Sequence, residues 1–176
     1  MVIVKVSIVG PVASGKTTIA YQLSVEKNVK MTGIDELVWI RQKSKPDIRR
    51  SHQQRIENID IATAESQWII EGTQVRLILE SDLIEKSDYV FILKPNRMVV
   101  YYRILKRFLS QTIGLDKRNI YKPKLSELKN YYRWANKFYD NEFEMLYKMI
   151  PRSKTTILTG RNAQKNMVLI REIINK

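Results

Sequence analysis

Cysteine is absent from the 176-residue chain, and histidine occurs once, at His52. Without cysteine the chain can form neither a disulfide framework nor a zinc–thiolate site, and this composition suits a reducing compartment. The single histidine lies on a polar segment that is predicted to be helical. We therefore expect His52 at the surface and assign it no catalytic role.

Long hydrophobic runs are also absent. The first apolar segment, residues 2–9, is interrupted by Lys5 and followed by Gly10. It is too short to span a membrane and lacks the layout of a cleavable signal. We therefore expect a soluble, cytoplasmic protein with no membrane partner.

Two motifs of signalling GTPases are missing as well. The sequence has neither an Asn-Lys-x-Asp segment for reading guanine nor an Asp-x-x-Gly switch. What it does have is an ordinary globular composition, 44% hydrophobic and 28% charged, at a length that fits one domain with a small lid. The formal net charge of +13 favours polyanionic partners, nucleotides and nucleic acids among them, although a solvated basic surface is an equally good interpretation.

Apolar segments alternate with segments of helical periodicity along the whole chain. This alternation predicts an α/β fold with a parallel sheet covered by helices on both faces. The predicted strands are residues 2–9, 29–32, 68–70, 89–93 and 155–158. The predicted helices are residues 16–27, 47–66, 75–86, 97–110, 125–149 and 163–174.

The strongest motif is a phosphate loop between the first strand and the first helix. Residues 10–17 fit G-x4-G-K-[ST] at every fixed position. Gly10 and Gly15 permit a backbone that turns successive N–H groups toward one anion. Lys16 can bridge the β- and γ-phosphates of ATP or GTP, and the Thr17 hydroxyl can ligate Mg²⁺. The predicted cofactor-binding residues are Gly10, Pro11, Val12, Ala13, Ser14, Gly15, Lys16, Thr17 and Thr18.

Two carboxylates follow predicted strands, where ligands of open parallel sheets bind. Glu71 ends the third strand and is followed by Gly72, which we expect to let a ligand approach closely. Asp35 follows the second strand, and capping of a short helix is its alternative role. We predict a site role for both acids, with Glu71 near the magnesium.

A basic segment occupies residues 94–133. It contains two acids and eleven basic residues, namely Lys94, Arg97, Arg103, Lys106, Arg107, Lys117, Arg118, Lys122, Lys124, Lys129 and Arg133. Arg103 and Arg107 share one helix face and could stabilise a transferring phosphoryl group, with Gly114 as a hinge. The alternative is a solvated helix face. Nearby aromatic residues from Tyr131 to Tyr139 are expected in the core.

These residues resemble one family. The chain is similar, over nearly its whole length, to the P-loop kinase-like topology modulation (FlaR-type) proteins, distant relatives of adenylate and shikimate kinases. The resemblance is carried by residues 10–17, 33–39, 68–72 and 158–162 and by the Arg103-x-x-x-Arg107 pair. The sequence departs from the family pattern at Glu71, where aspartate is frequent, at Thr73-Gln74, and at Ala13, where glycine is usual.

The resemblance implies a fold and a domain organisation. It implies a three-layer P-loop NTPase fold over residues 1–176 as a single domain, with a five-stranded parallel sheet of order 2-3-1-4-5. It places an acceptor-binding region at about residues 35–66 and a helical, basic lid at about residues 108–125.

The resemblance also implies roles for individual residues. Asp35 and Trp39 would face the acceptor, with Glu71 and Gly72 beside it, and Arg76 could anchor an anionic substrate. Arg103 and Arg107 would contact the triphosphate. Arg161 and Asn162 would lie near the base.

Two functions follow from the sequence. The first is a kinase that transfers the γ-phosphoryl group of ATP to a nucleotide, nucleoside or similar small acceptor, with Lys16, Asp35, Arg103 and Arg107 as catalytic residues. The second is a nucleotide-binding, DNA-associated regulator with weak or no kinase activity. The sequence names neither the acceptor nor the oligomeric state.

Overall fold

The computed structural model describes residues 4–42, 45–113 and 124–175. Five parallel strands form the main sheet, namely β1 Lys5–Val9, β2 Met31–Gly33, β5 Trp68–Gly72, β6 Tyr89–Leu93 and β7 Thr155–Leu158. They lie in the order β2-β5-β1-β6-β7. Numbered within this sheet alone, the order is 2-3-1-4-5, so the predicted topology is confirmed. Two further strands, β3 Trp39–Ile40 and β4 Ile48–Arg49, pair antiparallel as a separate hairpin.

Helices connect these strands. Their bounds are α1 Lys16–Lys27, α2 Ile34–Val38, α3 His52–Thr63, α4 Val75–Glu80, α5 Leu83–Lys86, α6 Arg97–Thr112, α7 Leu125–Lys137, α8 Phe143–Met149 and α9 Ala163–Ile174. A π-helical segment, Phe138–Glu142, joins α7 to α8, and a 3₁₀ turn, Arg152–Lys154, precedes β7.

Side chains of the central strands point alternately to the two faces of the sheet and form one buried core on each face. In β6, Val90 and Ile92 pack into one buried cluster, whereas Phe91 and Leu93 pack into the other. The first cluster includes side chains from α2 to α5 and α8, and the second includes side chains from α1 and α9. Since successive strand residues point to opposite faces, a fully apolar strand needs helices on both sides. The three-layer α/β fold is therefore confirmed.

The predicted helix over residues 47–66 is wrong at its start. Residues 48–49 form β4, and the helix begins only after Ser51, whose side chain accepts a hydrogen bond from the Gln54 amide while the Gln54 side chain accepts one from the Ser51 amide. This reciprocal capping stops the helix from extending backward.

Two other predicted helices are interrupted. Residues 75–86 form two short helices, because the backbone at Ser81 is extended. Residues 125–149 include the π-helical segment. Most of the predicted lid, including Gly114, lies outside the described residues, which retain only the end of α6 and the start of α7.

The aromatic residues of α7 and of the π-helical segment after it divide between core and surface. Phe138 is fully buried as expected, whereas Trp134 is half exposed. His52 is exposed, as predicted, and its Nε2 lies within hydrogen-bond distance, 2.9 Å, of Glu80 Oε2. The prediction that the aromatic cluster belongs to the core is therefore correct for only part of it.

Gly72 is required for packing. A Cβ atom at this position would lie 2.7 Å from the Ile34 Cβ atom at the start of α2. The missing side chain of Gly72 lets α2 pack directly on the end of β5. This packing role stands beside the expectation that Gly72 lets a ligand approach closely, which stays a prediction.

We predict that Gly72→Ala lowers the free energy of unfolding by about 1–3 kcal/mol, because the added methyl group overpacks the contact with Ile34. Gly33→Ala is the matched control. Its Cβ atom would meet nothing closer than 3.6 Å, and the Gly33 φ of −81° suits any residue. In urea unfolding, Gly72→Ala should be less stable than Gly33→Ala. Equal stabilities of the two variants would contradict the packing argument.

Candidate active site

The phosphate loop leaves β1 and enters α1 through two left-handed residues. Ala13 has φ 58° and Gly15 has φ 101°. Gly10, directly after β1, passes so close to β6 that a Cβ atom on it would lie 2.7 Å from the Leu93 carbonyl oxygen. Gly15 is also the N-cap of α1, with no side chain bonded to the first turn. The free N–H groups of that turn can therefore bind an anion.

Lys16 folds back into this loop. Its side chain is buried, and Nζ donates hydrogen bonds to the Pro11 carbonyl oxygen at 2.8 Å and to Ser14 Oγ at 3.4 Å. Burial lowers the pKa of Lys16 below its ordinary value, and the nearby charges of Glu71 and Asp35 oppose that shift. The loop thus holds a positive charge close to its own amide groups.

Both predicted carboxylates lie beside Lys16. Since β2 and β5 are neighbours in register, with Gly33 opposite Glu71, their carboxyl ends bring Asp35 and Glu71 to one edge of the sheet. Glu71 Oε1 accepts a hydrogen bond from Thr17 Oγ1 at 2.9 Å, and Asp35 Oδ1 accepts one from Gln74 Nε2 at 3.1 Å.

The Thr17–Glu71 pair fits a magnesium–nucleotide complex. A hydroxyl and a carboxylate oxygen are ligands that Mg²⁺ accepts, and the ion completes its shell with phosphate oxygens and water. Within residues 4–42, 45–113 and 124–175, no group of three or more acidic or histidine side chains forms a cage for a metal alone. Since phosphate oxygens would complete the shell, the Thr17–Glu71 donor set suits a metal that is bound together with a nucleotide.

A cleft of about 890 Å³ opens above the loop. Predicted site residues in its lining are Pro11, Val12, Ala13, Lys16, Thr17, Asp35, Trp39, Glu71, Gly72 and Arg107. Residues that we did not predict also line it, namely Arg41, Asp47, Arg49, Thr73, Gln74, Tyr131, Trp134, Lys137, Phe138 and Glu142. We call this space the loop cleft.

Arg103 and Arg107 share one helix face but reach different places. Arg103 donates to the carbonyl oxygens of Ala13, at 3.3 Å, and Ser14, at 2.9 Å, and also to that of Arg161. It therefore braces the phosphate loop from α6. Arg107 lines the loop cleft, and its guanidinium carbon lies 5.9 Å from the centre of the Tyr131 ring.

The cleft lining leaves out other predicted site residues, namely Gly10, Ser14, Gly15, Thr18, Arg76, Arg103 and Arg161. Thr18, Arg76 and Arg161 are exposed, and none of their side chains is in the cleft lining. Arg161 contributes its carbonyl oxygen to the contact with Arg103. The neighbouring Asn162 caps α9 by accepting a hydrogen bond from the Lys165 amide at 3.0 Å.

Several solved structures that are similar to this chain are kinases. The chain is similar to a shikimate kinase from Acinetobacter baumannii in complex with shikimate, with a TM-score of 0.60, 14% identity and coverage of 98% of this chain and 94% of that one. The chain has the fold of the P-loop kinases.

Two more structures show the same fold. A sugar kinase from Janibacter sp. HTCC2649 has a TM-score of 0.59, 17% identity and coverage of 99% of this chain and 95% of that one. A shikimate kinase from Bacteroides thetaiotaomicron has a TM-score of 0.57, 13% identity and coverage of 98% and 99%.

No family model and no curated protein matches the sequence. Membership of the topology modulation family therefore stays a prediction. In the part of the chain that the structure describes, no helix combines the length and the apolar character needed to cross a membrane.

We predict that Lys16→Met raises the free energy of unfolding at neutral pH by on the order of 1 kcal/mol, because it removes a buried cation. The lowered pKa means that the folded chain binds this proton less readily than the unfolded chain. Stability of the unsubstituted protein should therefore rise with pH, from the lowered pKa toward the ordinary value of 10.5.

Urea unfolding between pH 7 and 10.5 measures both effects. Lys30→Met, at an exposed lysine just before β2, is the control and should leave stability and its pH dependence unchanged. A Lys16→Met protein less stable than the unsubstituted one at pH 7 would contradict the argument.

Proposed function

We propose that the protein transfers the γ-phosphoryl group of ATP, bound with Mg²⁺, to a small acceptor such as a nucleotide, a nucleoside or another hydroxylated or phosphorylated molecule. The observation that carries this proposal is the position of Asp35 and Glu71. Both line the same cleft as Lys16 and Thr17, next to the phosphate loop. The cleft volume of about 890 Å³ lies within the range of small-molecule sites.

The phosphate loop would bind the triphosphate. Its free amide groups and the N-terminal end of α1 favour negative charge. Lys16 would exchange its bonds to Pro11 and Ser14 for phosphate oxygens, and this exchange would repay the cost of its burial. Arg103, by holding the Ala13 and Ser14 carbonyl oxygens, would keep the loop in its binding conformation.

Magnesium would be held by Thr17 and Glu71 together with the phosphates. The chemistry that it supplies is neutralisation of charge on the phosphate oxygens. Arg107, on the cleft side of α6, would contribute positive charge to the transferring group. Arg161 near the base remains an expectation from the resemblance.

Asp35 would act on the acceptor. It lies in the first turn of α2, and Gln74 donates to one of its oxygens while the other has no hydrogen-bond donor within the described residues. That oxygen can accept the proton of an acceptor hydroxyl and orient the hydroxyl oxygen toward the γ-phosphate. Trp39 in the same cleft offers a flat apolar surface against which an acceptor can pack.

The test is ATP turnover over a panel of nucleosides, nucleotides, sugars and hydroxy acids, measured as ADP release. A kinase shows release that depends on one class of acceptor and is lost, by at least 100-fold, in Lys16→Met. Release accelerated by DNA and by none of the small molecules would overturn the proposal and support the regulator.

We predict that Asp35→Asn lowers kcat by roughly 100-fold or more with any acceptor that the panel identifies, because the amide cannot take the hydroxyl proton. ATP affinity and the unfolding midpoint should stay within twofold and about 1 °C of the unsubstituted protein. Glu36→Gln, at the next position of α2 and outside the cleft lining, is the matched control. Equal kcat values for the two variants would remove Asp35 from the chemistry.

A further inference from the structure

The β3–β4 hairpin forms part of the cleft wall. It contributes Trp39, Arg41, Asp47 and Arg49 to the lining, immediately after the helix that carries Asp35. The positive charges of this hairpin lie close to the phosphate loop. Each of them is either neutralised by a carboxylate of the protein or available to a ligand.

Most cations of the cleft are already satisfied. Arg41 forms an ion pair with Asp47, and the hydrogen bond from Arg41 lowers the pKa of that carboxyl. Lys137 forms an ion pair of 2.7 Å with Glu142. Lys16 is bonded within the phosphate loop.

Arg49 and Arg107 are different. Among residues 4–42, 45–113 and 124–175, neither has a carboxylate within ion-pair distance. Each lies over an aromatic ring instead, Arg49 over Trp39 at 5.8 Å and Arg107 over Tyr131 at 5.9 Å. A guanidinium held near a ring keeps N–H groups that can bind an anion, because the ring accepts no ion pair.

The two arginines occupy different parts of the site. Arg107 belongs to α6, the helix that braces the phosphate loop through Arg103. Arg49 belongs to the hairpin that follows Asp35. With Arg107 assigned to the triphosphate, Arg49 is the cation left for the second substrate.

Arg49 is also held in place by its neighbour. The Arg50 side chain donates to the carbonyl oxygens of Glu36, at 3.1 Å, and Trp39, at 2.8 Å, and the Arg50 amide donates to that of Val38 at 2.9 Å. These bonds tie β4 to the C-terminal end of α2. The backbone position of Arg49 is therefore fixed relative to α2, the helix that carries Asp35.

We propose that Arg49 binds an anionic group of the acceptor, a phosphate or a carboxylate, so that the kinase selects a negatively charged substrate through its hairpin. This inference rests on the proposed function. Arg49 takes the part that the resemblance gave to Arg76, whose side chain lies outside the cleft lining. Its planar edge matches two oxygens of either anion at once.

The experiment compares charged and neutral members of matched acceptor pairs, with ADP release as the readout. One arm uses nucleoside monophosphates against nucleosides and sugar phosphates against sugars. The other uses hydroxy acids against their methyl esters. The arm in which the charged member is preferred identifies the anion as phosphate or carboxylate.

Arg49→Ala should reduce the preference for the charged member roughly 10- to 100-fold, through KM with kcat nearly unchanged, since charge-assisted hydrogen bonds are lost. Arg49→Lys should recover part of it. Arg152→Ala is the matched control, because Arg152 lies over Tyr147 at 4.8 Å and outside the loop cleft. That variant should behave like the unsubstituted protein.

The outcomes separate the two claims. If no acceptor stimulates ADP release, the proposed function fails and this inference fails with it. If acceptors are phosphorylated but neutral members are used equally well, or if Arg76→Ala and not Arg49→Ala changes the preference, the kinase stands and the assignment of Arg49 is overturned.

Discussion

The structure depends on a cation kept inside a turn of backbone. Lys16 is withdrawn from water, and the carbonyl oxygen of Pro11 and the hydroxyl of Ser14 accept its hydrogen bonds. Desolvation disfavours the charge, whereas Asp35 and Glu71 favour it from the sheet edge. The two acids, at the ends of adjacent strands, therefore stabilise the charged form of the buried lysine. A polyanion that entered the cleft would meet the free amide groups of the loop, and Lys16 would turn toward it by giving up its hydrogen bonds to Pro11 and Ser14.

The fold could be predicted because its main signals are local. The apolar runs at residues 89–93 and 155–158 and the amphipathic segments at 16–27 and 163–174 have the same bounds in the structure as in the sequence. The hairpin could not be predicted in the same way. Each of its strands has two residues, and Ile48 is exposed, so no alternating pattern marks it. Its stability comes from contacts between segments, above all those of Arg50 with α2, which no local window contains.

In the candidate site, too, some residues could be predicted from local sequence and others could not. The phosphate loop, Asp35 and Glu71 follow from a motif and from strand ends. Tyr131 and Trp134, in contrast, belong to α7, which packs on α6 and lines the cleft. Nothing in the sequence relates α7 to the loop. The sequence left two roles open for Asp35, a site residue or the cap of a short helix. The structure argues against the cap, because Gly33 occupies the N-cap position of α2 and Asp35 is bonded to Gln74.

The π-helical segment between α7 and α8 has a consequence for how the cleft could change in evolution. Such a segment absorbs one residue more than an α-helix over about the same rise and rotation. Loss of a single residue there would restore a regular helix and leave α7 and α8 near their present orientations. The segment itself would be repacked, and two of its residues, Phe138 and Glu142, line the cleft. One codon deletion could thus reshape the cleft wall while the sheet and the phosphate loop remained untouched.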